Sequence, residues 1–423
     1  MTEILSPRDP SRIYATYTIE TPGEPEAAAS AMAGEQSTGT FIALPGESPE
    51  MHRRHAARVE GVEALEVSAE PALSGSRGSG PFRRARVELS FPLENVGTQL
   101  PTLITTVAGN LFELQQLSGI RLEDLHLPAA FGEAHPGPQF GIEGTRRVAN
   151  VFDRPIIGTI IKPSVGLTPA ATGELAGVLA RAGIDFMKDD ELMANSPHSP
   201  FDERLDAVLG ALFDAADETG RMPLYAINVT DELDEMLRHI DRVAEAGGNC
   251  VMISVNTVGI AAVRAARLRS SLPIHAHRNG WGALTRHPLL GYSYIVWQQL
   301  WRLAGVDHLH VNGLRNKFWE PDDSVLRSAR AVLMPMNGGV AAMPVFSSAQ
   351  SAHQAADTYD ALGSSDLMYL CGGGIMAHPS GIRAGVTSIR QAWTAALDHV
   401  PLDAYARTHT ELAEALELFG RPQ

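Results

Sequence analysis

Three short strings hold most of the side chains able to do chemistry. Lys188, Asp189, Asp190 and Glu191 stand together as KDDE, and two His-X-His pairs, His275/His277 and His308/His310, lie further along. Paired carboxylates are hard oxygen donors and suit Mg²⁺. A lysine beside them can form a plain ion pair. If deprotonated it can instead add CO₂ and become a carbamate, a further oxygen donor, because lysine pKa values move readily in such places. A solvated charged loop would also read KDDE. Histidines at i, i+2 share one face of a strand. That spacing suits zinc, but no softer third ligand accompanies it, so acid–base work or contacts to substrate oxygens fit better. A satisfied core histidine is the plain alternative. Ser347 and Ser348, and the run Gly372, Gly373, Gly374, supply backbone N–H groups that can face an anion, or simply turn the chain.

Each of these groups ends a short apolar run. Such runs occupy residues 156–163, 184–190, 223–229, 250–255, 273–278, 307–312, 343–348 and 366–374, with helical patterns between them. Strand and helix repeated eight times predict an α/β fold, a (β/α)₈ TIM barrel with its chemistry at the C-terminal strand ends. Reading only those ends collects Lys162, the KDDE string, Asn228, Asn256, the four histidines, Arg278, Asn312, Ser347 and the glycines. Before the barrel, residues 14–20, 57–67 and 84–91 alternate like strands, 40–44 is a short apolar run, and 119–127 reads as another strand. Residues 25–33 and 101–114 pattern as helices. This is a split βαβ, ferredoxin-like α+β arrangement. The expected domains are residues 1–140 and a catalytic barrel over 141–423, with the Gly/Pro-rich stretch 129–150 as the linker.

The 423 residues carry a net charge of −15, opposite to a nucleic-acid or anionic-membrane surface protein. No run reaches the ~20 apolar residues of a membrane span, and the N-terminus lacks the order of a signal peptide. Cys250 and Cys371 sit in apolar runs and read as buried thiols, not a disulfide framework. A cytoplasmic protein is expected.

Five ordered motifs then resemble the ribulose-bisphosphate carboxylase large-chain superfamily: GTIIKPSVGL, GIDFMKDDE, PIHAHRNG, DHLHVNGLRNK and LCGGGIMAHPSG. EQSTGTF and VAGNLF look like its two N-terminal active-site segments. The resemblance implies a carbamylated Lys188 that holds one Mg²⁺ with Asp190 and Glu191. It makes Lys162 the proton-handling lysine, His277 and His310 contacts to substrate oxygens or a distal phosphate, and Lys317 the lysine of a loop over the site. Arg278, Ser347, Gly372 and Gly373 would hold substrate oxygens and phosphate. Glu35, Thr40 and Asn110 would come from the second subunit of a homodimer. The sequence also departs from the true carboxylases. Ser164 follows Lys162-Pro163 where they have lysine, Phe41 replaces a tryptophan, and Ser348-Ala349 replaces a glycine pair. It is therefore similar to the carboxylase-like proteins, which use the same metal-stabilised enolate for other reactions. The expected reaction is decarboxylation of a phosphorylated β-keto sugar acid of the 3-oxo-isoapionate 4-phosphate type. The alternatives are a transcarboxylase/hydrolase on that substrate, the enolase of methionine salvage that acts on 2,3-diketo-5-methylthiopentyl-1-phosphate, or a non-catalytic regulatory relative.

Overall fold

The computed structural model describes residues 8–39 and 45–420. Thr40, Phe41 and the apolar run over 40–44 lie outside the described residues. The chain packs as two compact units, Met1–Pro136 with Gly280–Leu303, and Gly137–Asn279 with Ala304–Gln423.

In chain order the strands are β1 (Arg12–Thr21), β2 (Arg58–Ser68), β3 (Phe82–Pro92), β4 (Gly119–His126), β5 (Ile156–Ile160), β6 (Phe186–Lys188), β7 (Leu224–Asn228), β8 (Cys250–Ser254), β9 (Ile274–His277), β10 (Leu290–Tyr292), β11 (His308–His310), β12 (Met343–Phe346) and β13 (Met368–Leu370). The first unit holds a sheet in the order β10-β4-β1-β3-β2. β1 runs antiparallel to both β3 and β4, giving the ferredoxin-like order expected from the alternating segments. β10 adds a parallel edge beside β4, pairing Leu290 with Ile120. Three residues are too few to show a period, so this strand leaves no pattern in the sequence. Helix Pro25–Glu35 starts with proline at its first position, where the missing N–H is harmless, and buries Ala28, Ala29, Met32 and Ala33.

The helix expected over 101–114 is broken. It runs Leu100–Ala108, and a separate 3-10 turn covers Asn110–Glu113. Gly109 makes the break possible: a Cβ there would stand 2.5 Å from the Thr105 carbonyl oxygen.

In the second unit, among the described residues, eight parallel strands close a barrel in the order β11-β12-β13-β5-β6-β7-β8-β9. Its helices are amphipathic. Leu233–Glu245 buries Met236, His239, Ile240 and Val243 on one face and begins with Asp234 and Glu235, charges that favour a helix N-terminus. The core inside the barrel joins Phe186, Leu224, Cys250, Met252, Met343 and Met368 to Ala149 and Val151.

Ala149, in that core, corrects the linker reading of 129–150. That stretch holds helices Ala129–Ala134 and Gly141–Ala149. The second helix is tied to the start of β11. The Phe140 and Gly141 N–H groups donate to the Asp307 carboxylate at 2.6 and 3.1 Å, and the Thr145 hydroxyl lies 2.9 Å from His308 Nε2. The early glycines and prolines of the stretch mask an apolar helical face that completes the core.

Candidate active site

Lys188 ends β6 facing inward and is 1% exposed. Its Nζ donates to the Asp189 carbonyl at 2.8 Å and lies 3.7 Å from the Glu191 carboxylate. Burial pushes its amine below the ordinary lysine value, although Glu191, Asp190 and Asp189 pull the other way. Asp189 points to the opposite face, as strand alternation requires. There it accepts from Tyr225 Oη at 2.5 Å, the Asn228 N–H at 2.9 Å and Arg204 Nε at 3.2 Å. It is a structural carboxylate.

Asp190 meets Lys162 from the end of β5, Oδ2 to Nζ at 2.5 Å, and the same amine donates to Ser164 Oγ at 2.7 Å. Burial alone would raise the Asp190 pKa. The hydrogen bonds from Lys162 and the Leu192 N–H, with the charges of Lys162 and Lys188, hold it below the usual carboxylate range. Asn228 fixes the turn between the two carboxylates by donating to the carbonyls of Asp190 and Glu191 at 3.3 and 3.4 Å.

Glu191 also reaches His277 Nε2 at 3.5 Å. Burial, opposed by the charges of His277 and Lys188, leaves the Glu191 carboxyl below its ordinary value. The His277 imidazole is pushed down to about 4, by burial first and then by the Lys188 charge. It is therefore neutral at pH 7. Its ring stands 4.7 Å from that of His310, whose Nδ1 lies 3.0 Å from Ser347 Oγ. Lys162, Lys188, Asp190, Glu191, His277, His310 and Ser347 thus form one connected set at the C-terminal strand ends.

Arg278 is placed by a partner that the sequence reading missed. Its Nη2 donates to Glu320 at 2.6 Å, and the same carboxylate accepts from Asn312 Nδ2 at 2.8 Å. An acidic residue ending the loop after β11 was the available signal. Lys317 lies in that loop with its ammonium 5.3 Å from the Phe318 ring centroid. Arg315, in the same loop, is engaged by Asp357 at 2.7 Å. After β13, a Cβ added at Gly372 or Gly373 would meet nothing within 4 Å, so both backbones face open space. In the first unit, Asn110 Nδ2 donates to Glu35 Oε1 at 3.3 Å, joining the two N-terminal motifs.

Among the described residues no three His, Cys, Asp or Glu side chains gather as a ready-made metal cage. Asp190 and Glu191 give two hard oxygen donors beside a buried lysine of lowered basicity. That set fits Mg²⁺ once Lys188 supplies the third oxygen.

The model of the ribulose bisphosphate carboxylase large chain, catalytic domain, matches residues 141–419, and that of its N-terminal domain matches residues 5–131. A 3-oxo-isoapionate-4-phosphate transcarboxylase/hydrolase from Xanthobacter autotrophicus is 52% identical over 407 residues, covering 96% of this chain and 98% of its own. A 3-oxo-isoapionate-4-phosphate decarboxylase from Rhizobium rhizogenes is 47% identical over 412 residues, covering 96% and 98%. A rubisco-like protein from Burkholderia fungorum superposes with a TM-score of 0.90 at 45% identity, covering 96% of this chain and 99% of its own. The chain belongs to the ribulose bisphosphate carboxylase large-chain family.

Proposed function

We propose that this enzyme removes the carboxylate of a phosphorylated β-keto sugar acid of the 3-oxo-isoapionate 4-phosphate type. The observation that carries the reading is the buried Lys188 of lowered basicity beside Asp190 and Glu191, with Lys162 on Asp190. The substrate class comes from the two full-length relatives named for it. Lys188, as a carbamate, would hold Mg²⁺ with Asp190 and Glu191. When bound, the ion supplies positive charge to the β-carbonyl oxygen where negative charge develops. The chain's own residues do the rest. The N–H groups around Gly372 and Gly373 take the phosphate. Arg278, held by Glu320, faces the carboxylate end. The C–C bond to the carboxylate breaks, CO₂ departs, and its electron pair remains as the enolate. Lys162 then delivers the proton that completes the product.

A second reading shares this first step. The enolate takes up CO₂ again, water adds to the ketone, and the adjoining C–C bond breaks to give two acids; the 52% identity to the transcarboxylase/hydrolase favours it. Phosphorus NMR of the reaction, run with Mg²⁺ and bicarbonate, separates the two. A single ketose phosphate with free CO₂ marks the decarboxylase. A phosphorylated acid plus a second acid marks the other. Unconsumed substrate contradicts both.

The same proposal assigns Glu35, Thr40 and Asn110 to the site of a second copy in a homodimer. Cys250 and Cys371 are free and buried, which fits a reducing compartment, and we place the enzyme in the cytoplasm. No helix among the described residues is long and apolar enough to cross a membrane.

A further inference from the structure

Three imidazoles, His308, His275 and His310, are buried inside the barrel, and His310 joins them to Ser347 of the candidate site. They form a continuous line. Thr145 Oγ1 lies 2.9 Å from His308 Nε2. His308 Nδ1 lies 3.3 Å from His275 Nδ1, and His275 Nε2 lies 2.8 Å from His310 Nε2. His310 Nδ1 then lies 3.0 Å from Ser347 Oγ.

The anchor at the far end fixes the direction. The Thr145 hydroxyl donates at 2.5 Å to the Gly141 carbonyl, which can only accept. Thr145 Oγ1 therefore accepts from His308 Nε2–H. A neutral imidazole has one N–H, so His308 Nδ1 accepts from His275 Nδ1–H. His275 Nε2 in turn accepts from His310 Nε2–H, and His310 Nδ1 accepts from the Ser347 hydroxyl. Burial keeps the rings neutral. It pushes His308 down to about 3 and His275 and His310 well below their ordinary value.

We propose that Thr145, His308 and His275 are positioning residues, a one-way chain of hydrogen bonds that locks His310 as the Nε2–H tautomer and makes Ser347 donate inward. Ser347 then offers lone pairs to the substrate. It accepts from a substrate hydroxyl rather than donating to a phosphate oxygen, and the phosphate is left to the backbone N–H groups. The consequence for substrate rests on Ser347 lining the site. The tautomers do not, so the two can fail separately.

The test is ¹⁵N NMR of the full-length enzyme labelled at histidine, assigned with single His→Gln variants. His308 and His310 should be protonated at Nε2 and His275 at Nδ1. Thr145→Val removes the acceptor. His308 should then move its proton to Nδ1 and reverse the line, shifting His310 Nδ1 from the unprotonated to the protonated range. Thr145→Ser should keep the native pattern. Any other pattern in the wild type overturns the proposal. So does a folded Thr145→Val variant with an unchanged His310. If that variant does not fold, the wild-type pattern alone decides.

Discussion

In the proposed reaction, Lys188 is the residue on which the chemistry turns. A buried ammonium is disfavoured, yet two carboxylates lie beside it. CO₂ adds only to the free amine, so at a fixed concentration of dissolved CO₂, with Mg²⁺ present, activation should speed up as pH rises from 6.5 to 8.5. The check is initial rate against preincubation time at each pH, and an activation rate independent of pH would count against the carbamate. Lys188→Ala removes the third oxygen donor and should lower kcat by about 10³-fold or more, the scale of losing a principal source of transition-state charge stabilisation. His277 gives no proton to this chemistry near pH 7, because at about 4 it is already neutral.

At the scale of elements, the turn after β12 stores strain. Ser348 and Ala349 both take left-handed conformations, with φ of 73° and 63°, where the carboxylases have glycines. Ser348 is compensated by its hydrogen bond to Asn312 at 3.0 Å; no such bond is open to the Ala349 methyl. Left-handed backbone at a residue with a Cβ costs roughly 1–2 kcal/mol, partly offset by the chain freedom that glycine adds to the unfolded state. Ala349→Gly should therefore stabilise the protein by about 0.5–1 kcal/mol, seen as a higher urea midpoint; a lower midpoint would contradict this. The eight barrel strands were legible because each is a short apolar run ending in polar residues. The turn of Asp189 away from Lys188 followed from alternation. Less was legible where tertiary contacts decide. Neither the break at Gly109 nor the three-residue β10 leaves a periodic trace. The helix Gly141–Ala149 is hidden behind glycines and prolines, and the Glu320 carboxylate finds Arg278 only after the loop folds back.

At the scale of the whole molecule, the buried imidazoles tie stability to pH. His308 titrates at about 3 when folded against 6.5 when exposed. Below pH 6.5 the unfolded chain takes up a proton that the folded one refuses, so stability falls as pH drops through that window. For His308 the loss between pH 7.5 and 5.5 is about 1 kcal/mol, and His275 and His310, also pushed down by burial, add to it in the same direction. Urea titrations at those two pH values measure it, and equal midpoints would contradict it. Shared sites in a homodimer make a second claim. Lys188→Ala and Asn110→Ala dimers, each inactive, should regain about a quarter of wild-type activity after mixing and subunit exchange, since half the dimers would carry one intact site. No recovery among exchanged dimers would place Asn110 outside the shared site. The central claim, that the Lys188 site opens a β-keto sugar-acid phosphate by releasing its carboxylate, is tested most directly with 3-oxo-isoapionate 4-phosphate ¹³C-labelled at that carboxyl. With Mg²⁺ and bicarbonate, the wild-type enzyme should move the label out of its original position, into CO₂ or a second acid, while Lys188→Ala leaves it in place. Label retained by the wild type, or released equally by both, would contradict the account.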